Sequence, residues 1–242
     1  MAMQTKFDTL MKHPVVFLIL WISIFFVAIA LSIFLHEVGH GFGARLDGIH
    51  VSTGFNQVGD YGKSPDDPDF RSAASQKSII GGLLGPFVSW GLAILFTIWL
   101  YQFRKPSWGV VVVGAMAITN GLVRALPVLA ALISNLLGSP RLEDEVTWGI
   151  WVVVKYCQPP SIPPSMDFHD MLYNFPGVFY HEAVFWIAPL ISLAISLTCL
   201  VLAYRKIVRL WREELQPVVM WFFGLLPLIV HYAFKPLQDI LD

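Results

Sequence analysis

Charge is scarce in this chain: 16 basic and 17 acidic side chains serve 242 residues, 14% in all against about 25% in an ordinary soluble domain. A solvated globular domain of this length is therefore a poor fit, and a formal net charge of −1 offers no basic surface for nucleic acid. Cysteine is rarer still. Cys157 and Cys199 lie in or beside apolar runs and neither has a CxxC neighbour. That excludes a disulfide framework and a thiolate zinc site, so any metal must be held by histidine and carboxylate. Internal repeats and low-complexity tracts are also missing, and residues 1–242 read as one membrane domain.

What the chain has in quantity is hydrocarbon, at 56% apolar residues. A membrane helix needs about 20 of them in succession. Five stretches reach that length: roughly 14–45, 77–103, 108–137, 177–204 and 216–234. A sixth, 143–157, opens with three acids and is too short to cross, which suits a re-entrant or interfacial helix. The expected fold is all-α: a polytopic membrane helix bundle of about five spanning helices plus one short one, with a C-terminal helical hairpin over about 177–234. Residues 46–76 are polar and read as a loop, and five prolines in 158–176 exclude helix over most of that stretch.

The stretch "MAMQTKFDTLMKHP" places two lysines before an apolar run too long for a signal-peptide core, so the first span is expected to be retained. Basic residues cluster at Lys6 and Lys12, at Arg104 and Lys105, and at Arg205, Lys206, Arg209 and Arg212. Placing all of these in the cytoplasm puts the N-terminus inside and residues 46–76, 138–176 and the C-terminus outside.

At the end of the first apolar run stands "HEVGH", residues 36–40. Positions four apart share one helix face, so His36 and His40 can each offer an imidazole to a single metal ion. Glu37, about 100° further round the helix, can reach water bound to that metal without displacing it. Two ligands and a general base make the arrangement of an HExxH zinc hydrolase. The bland alternative is a pair of helix-end histidines bonded to neighbouring helices, but ionisable groups in an apolar span are costly and mark function. Gly39, Gly41 and Gly43 would let backbone or substrate approach this turn closely.

A catalytic zinc usually takes a third protein ligand and keeps one position open. The candidates are Asp144 with its neighbours Glu143 and Glu145, and His181 with Glu182. His181 reads better as a helix-start or supporting residue than as a ligand. Arg124, in the third apolar run with Asn120 one turn before it, must be paired or face a wet cavity. Either the two line the site and stabilise an oxyanion, or they form a structural hydrogen bond or ion pair.

These residues resemble the site-2 protease family of intramembrane zinc metalloproteases. "HEVGH" followed by "RLDGI" (45–49) is the first match, "GGLLGPFVSW" (81–90) the second, and "NGLVRALP" (120–127) with "GSPRLEDEV" (138–146) the third. The matching region covers about 15–150. The resemblance implies that His36, His40 and Asp144 are zinc ligands and Glu37 the base, acting on a membrane protein or peptide substrate in the lipid bilayer. The chain departs from the pattern in lacking an Asn-Pro…Leu-Asp-Gly motif after residue 120 and in having Ser89 and Trp90 after the Gly-Pro segment. Two further hypotheses are a zinc-stabilised membrane scaffold or binding protein that does not proteolyse, and a zinc amidohydrolase acting on lipid amides.

Overall fold

The computed structural model describes residues 13–55, 58–61, 63, 78–139, 141–163, 165–211, 213, 216–230 and 233. Lys6, Lys12, Arg212 and residues 64–77 of the polar loop lie outside the described residues. Helix is the rule, as expected of an all-α chain. Helix α1 runs Pro14–Leu46, α2 Ile79–Leu100, α3 Trp108–Leu136, α4 Asp144–Val152, α5 Phe168–Asn174, α6 Pro176–Tyr180, α7 Ile187–Leu210 and α8 Gln216–Gly224. A π-helical turn, Val153–Cys157, extends α4, and a 3-10 turn, Ala183–Trp186, leads into α7.

Among the described residues four helical stretches are long and apolar enough to cross a membrane: Leu18–Leu46, Ile79–Leu100, Trp108–Leu136 and Ala183–Leu210. Of the expected fifth, 216–234, the described part is an apolar helix over Gln216–Val230, interrupted by a turn at Leu225, and residues 231, 232 and 234 lie outside the described residues. Gly224 and Pro227 stand at the interruption, one lowering helix propensity and the other removing a backbone donor. The fourth stretch begins several residues later than expected because α6 ends at Tyr180 before the chain re-enters helix. The expected short helix is present as α4. Within the proline-rich stretch, α5 occupies the proline-free part.

The chain divides into two compact units. One gathers residues up to 32, 90–123 and 196 onward. Its core is aromatic: Trp21 and Phe25 meet Phe223 edge-on, with ring centroids 4.6 and 5.7 Å apart. Glycine lets its helices close up, since a Cβ at Gly121 would stand 2.7 Å from Leu200 and one at Gly114 would stand 2.8 Å from Ile207. Such approach matters because lipid tails are as apolar as leucine, so helices in a bilayer associate through packing rather than hydrophobic burial.

The other unit holds residues 33–89 and 124–195. Its core joins Val128 and Leu132 of α3, Val146 and Ile150 of α4, and Phe179 and Phe185 of the segment before α7. Gly149 of α4 lies against the Phe185 carbonyl, where a Cβ would stand at 2.7 Å. The polar stretch after α1 contains a small antiparallel hairpin, β1 Val51–Thr53 and β2 Val58–Asp60, with Val51 opposite Asp60. Val51 and Val58 pack on Ala44, and Arg45 Nη2 donates to the Val51 carbonyl at 3.1 Å.

Candidate metal centre

The site lies within the second unit and begins with how α1 stops. Gly48 takes φ +79°, Gly48 N–H bonds the Arg45 carbonyl and Ile49 N–H bonds the Ala44 carbonyl, each at 3.0 Å. This is a Schellman cap, completed by Ile49 packing against Ala44. "RLDGI" is thus a helix stop. It also aims Asp47, whose Oδ2 accepts from Ser78 Oγ and from the Ile80 N–H, both at 2.9 Å. A carboxylate there satisfies donors at the start of α2 and complements its dipole.

Asp47 sets the start of α2 beside α1, and two glycine pairs let the helices touch. Gly39 and Gly43 lie one turn apart on α1, Gly81 and Gly85 one turn apart on α2. A Cβ on Gly39 would stand 2.8 Å from the Leu84 carbonyl, and one on Gly43 would stand 2.7 Å from Gly81 Cα. A Cβ on Gly85 would collide with the His40 ring. The close crossing drops His40 onto α2, where its Nδ1–H donates to the Gly81 carbonyl at 2.6 Å. Because a carbonyl only accepts, that bond keeps the proton on Nδ1 and turns Nε2 towards the centre. One turn earlier, His36 Nδ1 meets Ser89 Oγ at 3.0 Å.

Asp144 arrives from the other side through a second helix stop. Gly138, at φ +76°, ends α3 with the same bond pattern: Gly138 N–H to Asn135 O, and Ser139 N–H to Ser134 O. The Asn135 side chain then grips Arg141, accepting its backbone N–H at 2.5 Å and donating to its carbonyl at 3.1 Å. The chain turns back on itself, and α4 starts with Glu143 as its N-cap and Asp144 and Glu145 in its first turn. Acids are favoured at that positive helix end.

The two imidazoles and the carboxylate converge. His36 Nε2 lies 2.9 Å from His40 Nε2 and 3.0 Å from Asp144 Oδ2, and His40 Nε2 lies 3.4 Å from Asp144 Oδ1. One ligand atom from each residue falls within 4.8 Å of the others, a group that could hold a metal ion. His36 and His40 are buried, at 6% and 9% exposure, while Glu37, next on the helix, is half-buried.

Arg124, only 4% exposed, stands beside the centre. Its Nη1 donates to Asp144 Oδ2 and, at 3.1 Å, to His36 Nε2. Nη2 is 3.6 Å from Glu143 Oε2 and Nε is 3.9 Å from Glu145 Oε1. Glu143 also pairs with Arg141 at 3.1 Å, and the fully buried Glu145 accepts from Ser192 Oγ at 2.7 Å. The three consecutive acids thus take different roles. Burial works against ionising Asp144, but His40 and Arg124 outweigh it and hold its carboxyl well below the usual carboxylate range. At Glu143 and Glu145 burial outweighs Arg124, and both carboxyls are pushed up.

Of the residues singled out in the sequence, His36, Glu37, His40, Arg124 and Asp144 come together in one unit. Asn120 belongs to the other unit, where its amide donates to the Met116 carbonyl of its own helix at 2.9 Å. His181 is exposed at the end of α6 and lies outside the metal-holding group. The supporting contacts from Ser89, the Gly81 carbonyl, Glu145 and Ser192 were not read from the sequence. The paired glycine spacing of 39/43 and 81/85 was the available signal for the first two. Family models, curated proteins and solved structures were all compared with the chain, and none matches it.

Proposed function

We propose that the chain is an intramembrane zinc metalloprotease of the site-2 protease type, hydrolysing peptide bonds of membrane-associated substrates, with its N-terminus in the cytoplasm. The observation that carries this reading is the convergence of His36, His40 and Asp144 in a largely buried site near the end of an apolar helix that also carries Glu37 between the two histidines. Two imidazole nitrogens and a carboxylate form a zinc donor set. The two imidazole nitrogens stand 2.9 Å apart, one Asp144 oxygen lies 3.0 Å from His36 Nε2 and the other 3.4 Å from His40 Nε2, spacings at which all three residues can reach one ion. Bound at these residues, zinc would supply Lewis acidity and lower the pKa of a coordinated water towards 7.

The protein's own groups do the rest. Glu37 accepts a proton from the water whose oxygen bonds to the scissile carbonyl carbon, then delivers that proton to the amide nitrogen as the C–N bond breaks. Arg124 places positive charge beside the position where the carbonyl oxygen becomes an oxyanion. Ser89 and the Gly81 carbonyl keep the imidazoles aimed. A substrate helix has its carbonyls tied up internally, so it must unwind before it can be cut. The loop after α1 and the glycines after His40 offer a place for the unwound strand, and β1 already rests there through Thr53 against Gly41.

Replacing Glu37 by Gln keeps the side chain's size and removes the base. Against a panel of membrane-anchored peptide reporters, Glu37→Gln is expected to lower cleavage on the order of 10²–10⁴-fold while the purified variant retains its metal. Undiminished cleavage by that variant would overturn the reading.

A further inference from the structure

We infer that Arg124 is a placeholder cation with two acidic seats: its guanidinium competes with a metal for Asp144 and moves to Glu143 and Glu145 when a metal takes that carboxylate. Glu145 is then a positioning residue, keeping the second seat in place. This rests on the metal-site reading above.

Three observations support it. First, the guanidinium engages the atoms a metal would need: Nη1 donates to Asp144 Oδ2 and to His36 Nε2. A dication bonded to those same atoms would lie within about 4 Å of Nη1, and like charges so close in a site of low dielectric repel strongly. Metal entry therefore requires the guanidinium to withdraw. Secondly, a destination lies within reach. Nη2 is 3.6 Å from Glu143 Oε2 and Nε is 3.9 Å from Glu145 Oε1. Both are too long for hydrogen bonds, yet a shift of about 1 Å would make them so. Thirdly, the destination has capacity to spare. Glu145 is fully buried, its Oε1 is held by Ser192, and its Oε2 has no hydrogen-bond partner among the described residues. A buried oxygen left that way is costly, and a guanidinium with five donors is suited to fill it.

On Asp144, the guanidinium keeps two imidazoles and a carboxylate from facing one another uncompensated. Metal-bound, the same guanidinium is backed by two carboxyl groups and remains beside the reaction centre. Arg124 thus links metal occupancy to the position of the charge that would meet the oxyanion.

The experiment is a zinc competition titration against a chromophoric chelator, using the full chain in detergent micelles with helical content checked by circular dichroism. Removing the placeholder in Arg124→Gln is expected to tighten zinc binding by roughly tenfold or more. Glu145→Gln keeps the shape and can keep the Ser192 hydrogen bond but weakens the second seat, so it is expected to loosen zinc binding by a similar factor. Opposite signs are the signature, because residues that merely brace the site would both weaken binding. Weakening in both variants, or no change in either, overturns the inference. If Arg124→Gln does not fold, Glu145→Gln decides alone, and unchanged affinity there overturns it. A wild-type chain that binds no zinc removes this inference and the metal site together. One that binds zinc but cuts no peptide removes only the protease reading.

Discussion

His40 is fixed by a carbonyl and His36 by a hydroxyl, and the difference matters for what a single substitution can do. The Gly81 carbonyl cannot be removed by mutation, whereas Ser89 can. Ser89→Ala should therefore weaken metal binding about 10–100-fold, the usual effect of losing the partner behind a ligating imidazole, with helical content unchanged. Isothermal titration of the metal-free variant checks this, and wild-type affinity would show that Ser89 does not orient His36. At this scale the sequence was readable where helix geometry turns spacing into proximity, which is why His36, Glu37 and His40 could be named together. Asp144 was one of three adjacent acids, and spacing alone could not choose among them. The choice comes from tertiary contacts: Arg141 engages Glu143 and Ser192 engages Glu145, while Asp144 faces the histidines with Arg124 on its carboxylate. Ser89 appeared in the sequence only as a departure from the family pattern, because its partner is 53 positions away.

Among the elements, the contact between α1 and α2 does most to build the site. It works through absent side chains: Gly39 and Gly43 against Gly81 and Gly85 bring two backbones together, and His40 fills what room is left. Gly82 on the same helix has open space around it and serves as the internal control. Gly85→Ala is expected to displace the His40 ring, destabilise the unit by about 1–3 kcal/mol as overpacking does, and abolish metal binding. Gly82→Ala should leave metal binding intact and add up to about 1 kcal/mol through helix propensity. Unfolding in mixed micelles, read beside metal content, separates the two variants; equal behaviour would mean that the crossing does not seat His40. The long helices could be read from composition because hydrocarbon length follows bilayer thickness. The turn at Leu225 within the last apolar stretch and the small hairpin could not. The first turns on one glycine and one proline, the second on pairing in a polar segment with no alternating pattern.

For the molecule as a whole, the chemistry is concentrated in one of two compact units. The other is an apolar assembly of aromatic rings and glycine-lined crossings, and Asn120 is buried within it. The candidate site and membrane-spanning length therefore make different demands on the same helices: α1 supplies apolar rod over its first part and candidate ligands near its end. Composition announced the rod, and a five-residue motif announced the two candidate imidazole ligands. Neither revealed that a turn at Gly138 and a grip by Asn135 would bring an acid from residue 144 to complete the set. The central claim is that this completed set binds a metal. Metal analysis of the purified full-length chain tests it most directly, with wild type beside His40→Ala and Asp144→Ala. The account predicts about one zinc per wild-type chain, as a single-ion site requires, and its loss from both variants. A wild-type chain without zinc, or variants that keep it, would contradict the account.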